Sequence, residues 1–159
     1  VNRNWFKYVL ILISAVILQL SVSNYIQILH WKPDFILIAV VLIGIRFNAA
    51  IGSTAGFFGG LAGDLVSAHL LGLGALSKSV AGYVAGNISP KFEQKSQFVL
   101  TLLISGLIDD ALFFVINTMG KNFSWHIIFF VYIIPSLFYT VLVGMFLYYL
   151  LGNWLMNDE

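Results

Sequence analysis

Five ionisable side chains interrupt long apolar stretches of this chain: Asp34, Asp64, Lys78, Asp109 and Asp110. They are costly to keep there. An aspartate at the centre of a bilayer costs roughly 2.5–3.5 kcal/mol on insertion scales, so the adjacent Asp109 and Asp110 together cost roughly 5–7 kcal/mol. The leucine, isoleucine, valine and phenylalanine residues from Leu100 to Ile116 return about 0.3–0.6 kcal/mol each, which leaves that stretch marginal without protein neighbours or water beside the carboxylates. Successive residues diverge by about 100° on a helix, so one partner does not serve both. Two kinds of chemistry fit. One is a polar site that opens outward, with Lys78 as counter-ion, for a ligand or an ion path. The other is structural: Asp64 and Lys78 pair to orient helices, and Asp34 caps the helix behind Pro33. Structural pairing, or docking of a partner's polar groups, is the favoured reading. A lysine can also snorkel outward, which weakens any pairing.

Other chemistry finds little support. His30, His69 and His126 all fall in expected outer loops. Three imidazoles on one face can hold a metal. These are widely spaced and lack a local ligand pattern, so solvated loop residues are expected. The chain has no cysteine, which removes disulfides, thiolate metal sites and thiol nucleophiles. It carries no phosphate loop of the GxxxxGK[ST] type, no HExxH and no GxSxG elbow. No catalytic, cofactor-binding or metal-ligating residue is assigned, and no cofactor is expected.

The elements that must position the five charges are apolar. Hydrophobic residues make up 60% of the 159 and charged residues 9%, against roughly 25% charged in a soluble domain. Lipid is therefore the expected solvent. A net charge of +1 is too small to argue for nucleic acid. Six apolar segments can be drawn: Trp5–Ser23, Pro33–Phe47, Ile51–Ser67, Leu71–Ile88, Gln97–Thr118 and Trp125–Trp154. Their runs are continuous rather than alternating, which makes a membrane barrel a poor reading and favours helices. The first is read as an uncleaved span rather than a signal peptide, although Arg3, Lys7 and Ser21-Val22-Ser23 resemble signal-peptide features. The second is short and joins the third through a tight hairpin at Asn48, or the two form one re-entrant element. Pro135 should kink or tilt the sixth. Trp125 and Trp154 lie roughly 44 Å apart along a helix and fit as interfacial anchors.

Lysine and arginine set the orientation. With the N-terminus inside, Arg3, Lys7, Arg46, Lys91 and Lys95 face the cytoplasm and only Lys32 and Lys121 face outward. The main inner loop then runs Ser89–Ser96. The expected architecture is all-α: a polytopic membrane bundle of six transmembrane helices with both termini inside, forming one integral-membrane domain over residues 1–159. Segment three carries a second signal. Gly52, Gly56, Gly60 and Gly63 recur at spacings of four, four and three, and Gly59 stands four before Gly63. They predict a bare helical face that lets another helix approach closely, and Gly82 and Gly86 repeat the spacing on segment four.

Three runs of residues carry a resemblance: Pro33-Asp34-Phe35-Ile36-Leu37, then Gly56-Phe57-Phe58-Gly59-Gly60-Leu61-Ala62-Gly63-Asp64-Leu65, then Leu71-Gly72-Leu73-Gly74-Ala75-Leu76. In this order the chain resembles the MreD family of bacterial rod shape-determining proteins, sharply over roughly residues 33 to 88 and by composition beyond. The resemblance implies a non-catalytic multi-pass protein of the bacterial cytoplasmic (inner) membrane. It implies a place in the cell-elongation machinery that directs side-wall peptidoglycan synthesis. The implied partner is MreC, with indirect links to MreB, RodA and a class B penicillin-binding protein (a transpeptidase). The implied fold is similar to the substrate-binding membrane subunit of energy-coupling-factor transporters, so a vitamin-binding subunit is the main rival. A proton- or ion-conducting carrier using Asp109 and Asp110 is a weaker third reading, since no inverted repeat is evident.

Overall fold

Backbone groups surrounded by hydrocarbon must find partners within their own segment, and continuous apolar runs under that constraint become helices. The computed structural model describes residues 3–22, 25–26, 31–67, 70–88, 94–119, 126 and 128–156. Its elements are α1 (Arg3–Ser21), α2 (Phe35–Arg46), α3 (Ala49–Asp64), α4 (Leu73–Asn87), α5 (Gln94–Asn117) and α6 (Ile134–Met156). A π-helical turn, Ile128–Ile133, leads into α6. The protein is all-helical, with no strand among the described residues. His30, His69, Lys91, Lys121 and Trp125 lie outside the described residues, as do most of the expected inner loop and the side chains of Arg3, Lys95 and Trp154.

The helix of shortest length holds the centre. α2 has 12 residues, about 18 Å at 1.5 Å per residue against a hydrocarbon core of about 30 Å. It is buried on all sides from Phe35 to Gly44 and packs against every other α-helix. A short helix is tolerable at membrane depth when protein rather than lipid surrounds its ends. Tyr8, Ile11 and Ala15 of α1 cover Phe35, Ala39 and Ile43 on one side. Ala81 and Ala85 of α4, Phe98 and Leu102 of α5, and Val141 of α6 cover Leu37, Ile38, Val41 and Leu42 on the other. Two helical stretches, Ser96–Asn117 and Phe129–Leu150, are long and apolar enough to cross a membrane.

The α2–α3 connection is a two-residue turn, Phe47-Asn48. Asn48 Oδ1 accepts the Ile51 N–H at 2.9 Å and so caps α3. The start of α6 shows what Pro135 does. Proline lacks an N–H, so the Val131 carbonyl one turn earlier loses its α-helical donor. The backbone widens to π geometry there, and Val131 O accepts the Trp31 indole N–H at 2.8 Å. Nearby bonds fix the chain preceding α2 against α6: Asp34 N donates to Thr140 Oγ1 at 3.2 Å, Ser136 Oγ to the Lys32 carbonyl at 3.4 Å, and Tyr139 OH to the Ile26 carbonyl at 2.7 Å. The expected kink is thus a local change of helix type, stitched to the segment that introduces Asp34.

Candidate functional site

The site is assembled by a glycine seam. α3 and α4 run antiparallel and make the most extensive helix contact in the protein. Gly52 lies against the Gly82 carbonyl, Gly56 against the Lys78 carbonyl, and Gly60 against Gly74 and Ala75. A Cβ at any of the three would overlap the backbone of α4. Gly86 lies in the same way against Ala49. On α4 the facing positions are Gly74, Lys78, Gly82 and Gly86, one per turn. The single face expected on α3 divides in two. Gly59 and Gly63 point away from α4, toward the Ile36 side chain of α2, because three residues of α-helix turn about 300° rather than a full circle.

Lys78 is the one member of the α4 row with a side chain, and the seam fixes where its ammonium goes. Nζ lies 2.5 Å from Asp34 Oδ2 on the α2 N-terminus and 2.8 Å from Asp109 Oδ2 on α5. Three helices are joined at one nitrogen. Asp34 also caps α2, with Oδ1 accepting the Leu37 N–H at 2.8 Å. Asp109 is buried, and among the described residues its Oδ1 has no hydrogen-bond partner.

Asp64 differs from the expected pairing with Lys78. It accepts three backbone N–H groups instead: Gly72 at 3.0 Å, Gly74 at 3.1 Å and Ala75 at 3.1 Å. The N-cap residue of α4 is Gly72, with φ +92° and no side chain to offer. The carboxylate of the preceding helix therefore does the capping, at the positive end of the α4 dipole. Replacing Asp64 by asparagine removes the charge and one of the two acceptor oxygens. Asp64→Asn is expected to cost about 2 kcal/mol, the range of charge-assisted hydrogen bonds, read as lowered unfolding stability in detergent.

Asp110 stands beside the triad on α5 without joining it. Among the described residues no group of His, Cys, Asp or Glu is placed to hold a metal, and His126 is exposed. Several residues of the site were not singled out from sequence. Gln97, Thr101 and Ser105 continue from Asp109 as a buried polar row on α5, one per turn, and among the described residues Thr101 Oγ1 and Ser105 Oγ have no hydrogen-bond partner. That four-residue spacing is legible in the sequence. Gln19, whose Oε1 accepts the Phe35 N–H at 2.8 Å, and Thr140 leave no such signature. Gly44, Gly106 and Gly144 are also packing glycines, isolated in sequence and close to neighbours in space.

At the end of the bundle shared by the α2 and α4 N-termini lies a cleft of about 440 Å³. Gln19, Lys32, Asp34, Asp64, Ser67 and Lys78 contribute its polar wall.

An apolar helical bundle in which four of five internal charges, Asp34, Asp64, Lys78 and Asp109, are matched to one another or to helix ends is a helical membrane protein, organised around a polar cluster that joins helices. Within that class the chain belongs to the MreD family of rod shape-determining proteins, whose family model matches residues 2–157. The family is one of shape-determining membrane proteins and not a known enzyme family. No curated protein and no solved structure matches the chain.

Proposed function

We propose that this protein is a non-catalytic scaffold of the cell-elongation complex in the bacterial cytoplasmic membrane, where it binds MreC and supports side-wall peptidoglycan synthesis. The six helices cross the bilayer as one integral domain with both termini inside. Links to MreB, RodA and a class B penicillin-binding protein run through that complex. The observation that carries the reading is the use of the intramembrane charges: Lys78, Asp34 and Asp109 tie α4, α2 and α5 together, and Asp64 of α3 caps α4. These groups are engaged in holding a shape. A scaffold needs that, and family membership supplies the role in rod shape.

One observation favours the rival, a substrate-binding subunit of an energy-coupling-factor-type transporter. The polar cleft has the volume of a small-molecule site. Capture of tagged protein from membranes separates the two. MreC is expected to co-purify. Recovery of a transporter ATPase module, or of a tightly held vitamin, in place of MreC overturns the scaffold.

A further inference from the structure

The cleft carries charges of both signs in equal number: Lys32 and Lys78, Asp34 and Asp64. An ammonium has three donors. Lys78 gives two, to Asp34 and Asp109, and so keeps one. A carboxylate has about four acceptor sites. Asp34 uses one for Leu37 N–H and one for Lys78, and Asp64 uses three for the start of α4. Both signs therefore retain hydrogen-bonding capacity at the wall of a cavity large enough for a small polar group. A purely anionic ligand would meet Asp34 and Asp64. A purely cationic one would meet Lys32 and Lys78. A neutral ligand with separated charges offends neither.

We propose that this cleft binds a zwitterion bearing a primary ammonium and an oxyanion, the chemistry of a phosphoethanolamine group, borne by a lipid or free in solution. The oxyanion accepts from Lys78 and Lys32, and the ammonium donates to Asp34 and Asp64. A primary ammonium is required, because a trimethylammonium has no N–H to donate. The inference rests on the membrane placement proposed above, which sets the cleft at the outer headgroup level, and it is independent of which protein the scaffold binds.

The test is native mass spectrometry of the full chain, released from nanodiscs of equal phosphatidylethanolamine, phosphatidylcholine and phosphatidylglycerol. Retained phosphatidylethanolamine is expected to exceed phosphatidylcholine by about tenfold, the worth of roughly one charged hydrogen bond. Lys32→Gln should remove the preference by deleting a charge, and Ser67→Phe by filling the cleft while leaving every charge in place. Displacement of the lipid by free O-phosphoethanolamine assigns the site to a soluble zwitterion. Retention of the lipid under that challenge assigns it to the headgroup. Lipid in the bulk ratio, a preference for phosphatidylglycerol, or a preference that survives both substitutions overturns the proposal. MreC capture from the same preparation keeps the two questions apart: MreC bound without lipid preference sinks the cleft assignment alone.

Discussion

Replacing Gly56 with leucine is expected to cost about 3 kcal/mol or more and to prevent stable assembly of the bundle. The reason is what the added atoms would meet. A Cβ at Gly56 overlaps the carbonyl of Lys78 and approaches the Ser79 nitrogen, and both belong to the α4 backbone. A flexible side chain can rotate out of the way, whereas a hydrogen-bonded helix backbone moves only as a rigid rod. Displacing α4 would also pull Lys78 off Asp34 and Asp109 and the α4 N-terminus off Asp64. One methyl group thus threatens the packing and the polar cluster together. Gly63→Ala is the matched comparison on the same helix. Its added Cβ meets only Ile36 Cδ1, at 3.3 Å, the far end of a side chain. It is expected to stay within about 1 kcal/mol of the parent, because alanine also favours the helix over glycine. Yield of monodisperse protein after detergent extraction, with the unfolding midpoint of what survives, reads both variants. Equal behaviour of the two would show that the α3–α4 seam does not require bare backbone.

The seam was legible in sequence because it is local. Glycines at every fourth position of one helix declare a bare face before any partner is known, and Gly82 and Gly86 declare the complementary one. The capping of α2 by Asp34 was legible for the same reason, since the cap acts on the residue three positions ahead, whereas Asn48 was read only as a turn residue and also caps α3. What sequence left open depends on contacts across the fold. Four aspartates share the apolar stretches with Lys78, and only the packing of α2 and α5 against α4 decides for Asp34 and Asp109. Asp64 was assigned to that lysine because opposite charges attract. It went instead to backbone N–H groups exposed by an N-cap residue without a side chain, a need that arises only once Gly72 adopts its left-handed turn. Gly44 shows the limit from the other side. It is one glycine in an apolar run, and nothing near it in sequence reveals that α4 passes directly over it.

Lys78→Met is expected to destabilise the protein by about 3–5 kcal/mol, because it leaves two carboxylates without the charge that holds them. The loss should not fall equally on the pair. Asp34 keeps the Leu37 N–H, the positive end of α2 and partial exposure, with 26% of its side chain accessible. Asp109 keeps none of these. It is 3% accessible, and its second oxygen has no hydrogen-bond partner among the described residues. Most of the penalty therefore belongs to Asp109, and Asp109→Asn in the Lys78→Met background should return at least half of it by removing the stranded charge. A double-mutant cycle on unfolding stability measures that coupling directly. The same pair of variants also separates support from recognition. If the cluster acts by holding α2, α4 and α5 in register, rod shape in complemented cells should recover with stability, and that is the expected result. Stability regained while cells stay round would mean that these charges meet a partner as well, and the role of pure support would have to be given up.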